Sequence, residues 1–267
     1  MYTKTYFLKK HISMKSICSI FFYFLFLSQA ICQVNIESFR NSAKNTGFFG
    51  ETRLNIEFQK GNVNSKNYEI AKDLHYKYKK HHVFLKGAFN KGYQDEALYK
   101  NTAFSHFRYT LMLHGFLGYE IFTQTQYDEF KDLSLRQLNG GGIRIEKTLS
   151  KNNLFKIAIG IGLMSDYEQL TYESTVNARG TSYISILKDL TSDGNSFLSV
   201  ITYYQPLLFN HKDYRINNEI NLRSSIINIK QTKIGLNTSF NYLYDTVPAV
   251  NIEKTDIIIK TGLVIVW

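Results

Sequence analysis

The sequence predicts an all-β fold: a closed antiparallel transmembrane β-barrel of about 12 strands, preceded by a cleaved signal peptide. Three observations support this prediction. Segments of about ten residues alternate apolar and polar side chains, as strands do when one face meets lipid. The connections between these segments are long and short in turn. The N-terminus has the charge and apolar pattern of a secretion signal.

The alternation is clearest in residues 154–164. The odd-numbered positions of this segment are all apolar, and the even-numbered positions after 154 and before 164 are small or charged. Gly160 and Gly162 belong to this second set, and we expect them to point inward and to allow wall curvature or space in the lumen. A strand of a soluble sandwich alternates in the same way, but it buries its apolar face. The same alternation recurs along the chain, less clearly in residues 81–90, 180–191 and 195–205.

The lengths of the connections support a barrel with two different rims. Long segments (61–66, 90–99, 128–137, 165–178, 206–213 and 245–254) alternate with short ones (79–82, 114–115, 150–153, 192–195 and 227–232). Outer-membrane barrels have long outer loops and short periplasmic turns. Both prolines, Pro206 and Pro248, fall in long connections. An even number of strands would place both chain termini on the periplasmic side of the barrel.

The chain is expected to divide into three parts: residues 1–33 as a signal peptide, 34–47 as a short N-terminal periplasmic segment, and 48–267 as the barrel. The first part has four lysines and no acid, then an apolar run over 17–27, then Ala30 and Cys32 at the positions of a cleavage site. The alternatives are a transmembrane anchor and a lipoprotein acylated at Cys32. The apolar run is shorter than the ~20 residues that a spanning helix needs, and Ile31 precedes the cysteine. Met14 is an alternative start.

Composition excludes several kinds of function. Both cysteines, Cys18 and Cys32, lie within the predicted signal, so the mature chain has no disulfide, thiolate zinc site or cysteine nucleophile. Removing the four lysines of this segment leaves 28 basic residues (32 − 4) against 22 acidic ones, a net charge of +6 spread along the chain. Nucleic-acid binding is therefore not expected. No stretch after Gln33 approaches 18 apolar residues, so a membrane would have to be crossed by strands.

The polar faces of the strands supply the candidate interior residues, and both charge signs are present. The mixture favours a structural network of pairs between strands, but a narrow wet path with charge selectivity remains open. The candidates are Arg53, Glu57, Asp73, His106, Arg108, Glu120, Arg144, Glu146, Lys156, Glu219 and Arg223; His75 and Lys260 share these faces.

Several segments resemble one known family. They are GNVNS, QYDEF, NGGGIRIEKTL, IAIGIGLMSDYEQL and the C-terminal run TSFNYLYDTVPAVNIEKTDIIIKTGLVIVW. The chain resembles domain-of-unknown-function family 481, the salt-induced outer-membrane protein family, over about residues 48–267. The resemblance implies an outer-membrane barrel with no settled activity and no agreed catalytic residues. Leu263, Ile265 and Trp267 also resemble the C-terminal signal that the barrel-assembly machinery recognises in such proteins.

Three functions are compared. The leading prediction is a non-enzymatic outer-membrane barrel with an envelope or stress-related role, and the alternative is a narrow passive channel for small polar solutes. A phospholipase-like hydrolase fits less well, because it needs a histidine and a serine together on the lipid face near the outer rim. The histidines after residue 33 are His75, His81, His82, His106, His114 and His211. They are expected at periplasmic turns or in the lumen, apart from His211 in an outer loop.

No cofactor or metal site is predicted, and the expected partners are outer-membrane lipid and, during insertion, the barrel-assembly machinery. Two acidic groups are weighed as cation ligands, on the expectation that both lie in outer loops. The first is Asp128, Glu129 and Asp132, and the second is Asp166, Glu168 and Glu173. Neither has the spacing of a calcium loop, so solvated loops are favoured. The sequence does not predict an oligomeric state.

Overall fold

The computed structural model describes residues 46–60, 64–150, 154–249 and 252–267. These residues form a closed barrel of twelve antiparallel strands in which each strand pairs with its neighbours in sequence. The predicted closed antiparallel barrel of about 12 strands is confirmed. The strands are β1 (Gly47–Gln59), β2 (Ser65–Tyr78), β3 (His81–Gln94), β4 (Ala97–His114), β5 (Leu117–Asp128), β6 (Leu133–Ser150), β7 (Phe155–Leu170), β8 (Ser174–Asp189), β9 (Ser196–Leu207), β10 (Asn210–Ile229), β11 (Thr232–Asp245) and β12 (Thr255–Val266).

The barrel closes where β1 meets β12. The pairing runs from Glu51 opposite Val266 to Leu54 opposite Leu263. Because the strand number is even, β1 begins and β12 ends at the same rim, which we call the terminal rim. The other end is the opposite rim.

The predicted N-terminal segments lie outside the described residues. This applies to the signal peptide over 1–33 and to all but the last two residues of the segment 34–47. The barrel begins at Gly47, one residue before the expected boundary. No helix among the described residues is long and apolar enough to cross a bilayer.

The expected sorting of connections into long and short is wrong for most of the barrel. The segment 90–99 is strand except for Asp95 and Glu96, and the segment 206–213 is strand except for two residues. Asp95 and Glu96 both have positive φ, 47° and 66°, as a tight hairpin turn requires. Among the connections predicted to be long, the one between β11 and β12 is long in the structure and covers residues 246–254. The strands extend beyond the apolar part of the wall. In these extensions both faces are polar, so alternation in the sequence does not reveal that the residues are strand.

Pro206 is a second correction. It lies in β9 instead of a loop, opposite Tyr214 and next to a shift in register between Asn210 and Tyr214. A proline donates no hydrogen bond, so it is tolerated where a bulge already interrupts the ladder. Pro248 lies in the connection between β11 and β12, as expected.

Candidate functional site

The outer wall presents an apolar surface. On β7, Ile161 exposes 68% of its surface, whereas Ala158 and Met164 on the other face are buried. The same division holds around the barrel, and the exposed apolar residues include Leu54, Ile70, Leu85, Ile121, Ile143, Ile159, Leu163, Ile184, Leu222, Leu236, Ile257 and Ile259. A closed sheet with such an exterior satisfies its backbone internally, as a chain in hydrocarbon must.

Exposed aromatic rings lie toward both ends of this surface. Near the terminal rim they are Phe48, Tyr76, Tyr78, Tyr119 and Trp267, and near the opposite rim Phe58, Tyr68, Tyr99 and Tyr204. Tyr214 of β10 and Tyr244 of β11 continue the second group beside Tyr204 of β9. The Tyr214 ring centroid lies 5.6 Å from that of Tyr204 and 5.9 Å from that of Tyr244. Two aromatic girdles around an apolar band are typical of transmembrane barrels.

Glu120 is the centre of the first interior cluster. Its carboxylate accepts hydrogen bonds from Arg108 at 3.1 Å, Thr110 at 3.0 Å and the Tyr183 hydroxyl at 2.7 Å. Tyr183 belongs to β8 and Glu120 to β5, so this bond passes over the inner face of β6 and β7. The Tyr183 ring occupies the space inside Gly160, where an added Cβ would lie 2.0 Å from the ring. The inward space expected at Gly160 is therefore filled by this tyrosine.

Arg144 extends this cluster. Its guanidinium donates to Glu146 at 2.9 Å and to the Tyr183 hydroxyl at 2.8 Å. Lys156 in turn lies 2.7 Å from Glu146. Residues of opposite charge therefore lie beside one another on the four consecutive strands β4 to β7, which is the arrangement that offsets the cost of burying each charge.

A second cluster lies toward the opposite rim, with Asp166 and Glu168 of β7 at its centre. Arg215 of β10 contacts both, at 2.7 Å for Glu168, although β8 and β9 separate the two strands. Arg179 donates to Asp166 at 3.1 Å, and Arg136 contacts Glu168. The expectation that Asp166 and Glu168 lie in an outer loop is wrong. They belong to the wall, where arginines on three strands neutralise them.

A third cluster lies toward the terminal rim and spans the closing seam. Glu51 of β1 lies 2.6 Å from Arg223 of β10, and β11 and β12 lie between their strands. Arg53 contacts Glu51 at 3.4 Å and Asp73 at 3.1 Å. The Arg223 guanidinium also lies 4.9 Å from the centroid of the Phe197 ring.

The connection between β5 and β6 reaches across the opposite rim. It contains a single 3-10 turn, Glu129–Lys131, and the Lys131 ammonium is paired with Asp256 at the start of β12, halfway around the barrel. Both side chains remain more than a third exposed, so the pair is worth little energy. Its position nonetheless places a side-chain bridge over the mouth.

The acidic residues of that connection are held by local hydrogen bonds. Glu129 accepts from Asn101 at 2.7 Å and from the Tyr127 hydroxyl at 3.0 Å, and these bonds lower the pKa of its carboxyl. Asp128 accepts from the Phe130 backbone, and Asp132 from Thr171. Among the described residues, no three His, Cys, Asp or Glu side chains are placed to hold a metal ion.

Four histidines have ring nitrogens within hydrogen-bond distance of another polar side chain. His75 and His82 lie 3.0 Å apart, the His81 ring is 2.7 Å from the Tyr109 hydroxyl, and the His106 ring is 3.2 Å from Gln124. His211 is exposed near the opposite rim, at the start of β10.

The sequence-predicted interior residues fall into three groups. Asp73, His106, Arg108, Glu120, Arg144 and Arg223 are buried. Arg53, Glu146, Lys156 and Glu219 are partly buried, and Glu57 is exposed near the opposite rim. Of the three assembly-signal candidates, Leu263 and Trp267 are exposed on the outer face and Ile265 is half-buried. Sequence reasoning missed Glu51, Arg136, Arg179, Tyr183 and Arg215 as interior residues.

A model for a family described as "Protein of unknown function, DUF481" matches residues 53–267. The chain belongs to this family. The match begins within β1 and ends at the last residue of the sequence, so it covers almost the whole barrel.

No curated protein matches this sequence. A NanC porin structure is 8% identical, with 82% of this chain and 98% of that chain covered and a TM-score of 0.43. The translocator domain of autotransporter NalP from Neisseria meningitidis is 9% identical, with 86% and 91% covered and a TM-score of 0.39. The β domain of the Bordetella autotransporter BrkA is 6% identical, with 82% and 97% covered and a TM-score of 0.38. Similarities this weak carry no function to this chain.

Proposed function

We propose that this protein is a non-enzymatic outer-membrane barrel with a closed interior and an envelope or stress-related role. One observation carries the proposal: paired side chains cross the lumen between strands that are not neighbours. Tyr183 meets Glu120, Arg215 meets Glu168, and Arg223 meets Glu51, each over two intervening strands. A barrel of twelve strands is wider than one that wall side chains fill by themselves, so long residues that reach across it are needed to close it.

The outer surface supports the proposed location. The apolar band between aromatic girdles supports insertion in the outer membrane. Export by the predicted signal peptide over 1–33 would leave the terminal rim in the periplasm. There Leu263, Ile265 and Trp267 would be recognised by the barrel-assembly machinery. Antibody or protease access to a tag inserted in the 246–254 connection of intact cells tests this orientation. A tag accessible only after the outer membrane is opened would contradict it.

The absence of catalysis is also part of the proposal. A phospholipase-like site would need a histidine beside a serine on the lipid face. The ring nitrogens of His75 and His82 lie beside each other, that of His81 lies beside the Tyr109 hydroxyl, and that of His106 lies beside Gln124. Phospholipid hydrolysis by the refolded barrel should equal that of empty vesicles, before and after His211→Ala. Hydrolysis that the substitution abolishes would contradict the proposal.

Conductance in planar bilayers tests the closed interior. The folded wild type should be electrically silent, and Lys188→Ala on the outer face should be silent too. Arg215→Ala combined with Arg223→Ala removes two of the crossings and should produce small openings. Stable unit conductance of the wild type would overturn the proposal and favour the narrow channel for small polar solutes.

An envelope role predicts a particular phenotype. A strain that lacks the protein should become more permeable to detergent or more sensitive to high salt, while its uptake of small polar solutes stays unchanged. Slower uptake with an intact permeability barrier would instead indicate a channel.

A further inference from the structure

Lys72 places a charge on the outer wall within the apolar band. It lies on β2 with its side chain exposed, and its neighbours on the same face of that strand are Ile70 and Leu74. Its partners across the sheet are Thr52 of β1 and Gly87 of β3. Residues exposed on this face, such as Ile70 at 50%, would meet lipid in the proposed membrane location. A lysine in such a position is costly at the bilayer midplane and nearly neutral at the interface.

The side chain of Lys72 is directed toward the terminal rim. Its ammonium nitrogen lies 5.7 Å from the centroid of the Trp267 ring, and Trp267 follows the last residue of β12. A long lysine side chain can lie along an apolar surface while its charge reaches the headgroup region. Lys72 therefore starts in the apolar band, and its charge reaches the aromatic girdle at the seam where β12 meets β1.

The ring does not saturate this ammonium group. An ammonium has three N–H donors, and the face of one indole attracts it from one side. No carboxylate of the described residues lies within 4.0 Å of Lys72, and its cross-strand neighbours supply a hydroxyl and a glycine. The indole N–H of Trp267 likewise makes no hydrogen bond to a described residue. The Lys72 ammonium thus lies 5.7 Å from the centroid of the ring that carries the second N–H donor.

We propose that Lys72 and Trp267 form a binding site for the phosphate group of an anionic phospholipid. The inference rests on the proposed membrane location, with the terminal rim in the phospholipid leaflet. The ammonium supplies the charge, the indole N–H supplies a second donor, and the outward leucines and isoleucines of β1 and β2 meet the acyl chains. A phospholipid bound there contacts β2 and β12 together and so braces the seam.

The chain provides its own probe for this site, because Trp267 is its sole tryptophan. The folded full chain is reconstituted in phosphatidylcholine bilayers that contain increasing fractions of brominated phosphatidylglycerol or brominated phosphatidylcholine. Bromine quenches tryptophan fluorescence at short range, so the two titrations give the relative affinity of each headgroup at Trp267. The anionic lipid should be preferred about fivefold, which is the ratio that one lysine supplies near the membrane surface.

Substitutions separate the site from a general surface effect. Lys72→Gln should abolish the preference, and Lys72→Arg should retain it. Lys188→Gln is the matched control: its ammonium lies 5.9 Å from the centroid of Phe155, near the same rim but on β8, and it should keep the wild-type preference. Each variant is first shown to be folded by its heat-dependent gel mobility.

The outcomes distinguish two failures. Equal quenching by both headgroups in the wild type, or an unchanged preference in Lys72→Gln, would overturn the lipid site alone. No quenching of Trp267 by either brominated lipid would overturn the membrane placement and the lipid site with it.

Discussion

Gly50 and Trp267 exchange two backbone hydrogen bonds across the seam that closes the barrel. The Gly50 N–H donates to the Trp267 carbonyl at 2.9 Å, and the Trp267 N–H donates to the Gly50 carbonyl at 3.0 Å. The indole ring lies over the glycine, with its Cζ2 and Cη2 atoms 3.1 and 3.2 Å from the place of an added Cβ. An aromatic ring that covers a glycine on a neighbouring strand is a known device for fixing register.

A side chain at position 50 should weaken the seam. The added Cβ in Gly50→Val would approach the Asp73 carbonyl to 2.5 Å as well as the indole, so the strand or the ring must move. We expect a loss of about 1–3 kcal/mol in the free energy of unfolding, measured by urea titration of Trp267 fluorescence. Gly87→Val is the control, because the nearest atom to its Cβ is 4.0 Å away. A loss in the control as large as in Gly50→Val would contradict the account.

Deleting Trp267 should impair assembly more than it impairs the assembled barrel. The deletion removes both hydrogen bonds to Gly50 and the ring that covers it. The fraction of chain in the outer membrane with heat-dependent gel mobility should fall severalfold, whereas Trp267→Phe should assemble almost as well as the wild type. Normal assembly of the truncated chain would refute the role assigned to this residue.

Removing one charge from the interior network should be strongly destabilising. Arg144 is fully buried and binds Glu146 and Tyr183. Arg144→Met leaves Glu146 with Lys156 as a cationic partner but removes the buried guanidinium that binds Glu146 and the Tyr183 hydroxyl. Breaking this buried pair should lower the free energy of unfolding by up to about 3–5 kcal/mol. Removing the acid as well, in Arg144→Met with Glu146→Gln, should recover part of that loss. Urea titration measures both, and additive losses would show that the two residues are independent.

The turn between β8 and β9 should loosen in acid. Asp193 accepts hydrogen bonds from the Thr191 hydroxyl at 2.6 Å and the Asn195 N–H at 2.9 Å, and these donors lower its pKa. A lowered folded pKa means that the stabilisation is present above the unfolded value, about 3.9, and is lost as the pH falls through the folded value. Hydrogen exchange at Asn195 and Ser196 should therefore be protected above about pH 4 and lose protection below it.

Two substitutions in this turn test whether Asp193 causes the pH dependence. Thr191→Val should raise the pKa of Asp193 and shift the loss of protection to higher pH, while Asp193→Asn should remove the pH dependence. A wild-type turn whose protection does not change between neutral pH and pH 3 would contradict the assignment.

The wall of the barrel was predictable because lipid imposes a local pattern. In β7 the apolar odd positions that the sequence shows are the ones that face outward, and Ile159, Ile161 and Leu163 are exposed. The pattern predicts about twelve strands, and the barrel has twelve. The pattern does not predict where the strands end. Residues such as 165–170 continue the sheet beyond the apolar band with polar side chains on both faces.

The pairs across the lumen could not be predicted because they join distant segments. Nothing local in the sequence indicates that Arg215 will meet Glu168 or that Tyr183 will meet Glu120. The interior position of Glu51 could have been predicted from the sequence. Glu51 lies two residues before Arg53 on the same face of β1, so a longer predicted strand would have included it. Barrel curvature and strand stagger decide which interior residues meet, and single-sequence patterns do not encode them.

Water access to Ser199 tests the closed interior most directly. Its side chain on β9 is fully buried, and its hydroxyl has no hydrogen-bond partner among the described residues, so Ser199→Cys changes little. The chain has no cysteine after residue 32. A small water-soluble thiol reagent should label Cys at the exposed position of Ser174→Cys rapidly in the folded barrel. It should label Ser199→Cys only after unfolding in urea. Labelling of the two folded variants at similar rates would show a water-filled lumen and contradict the closed barrel.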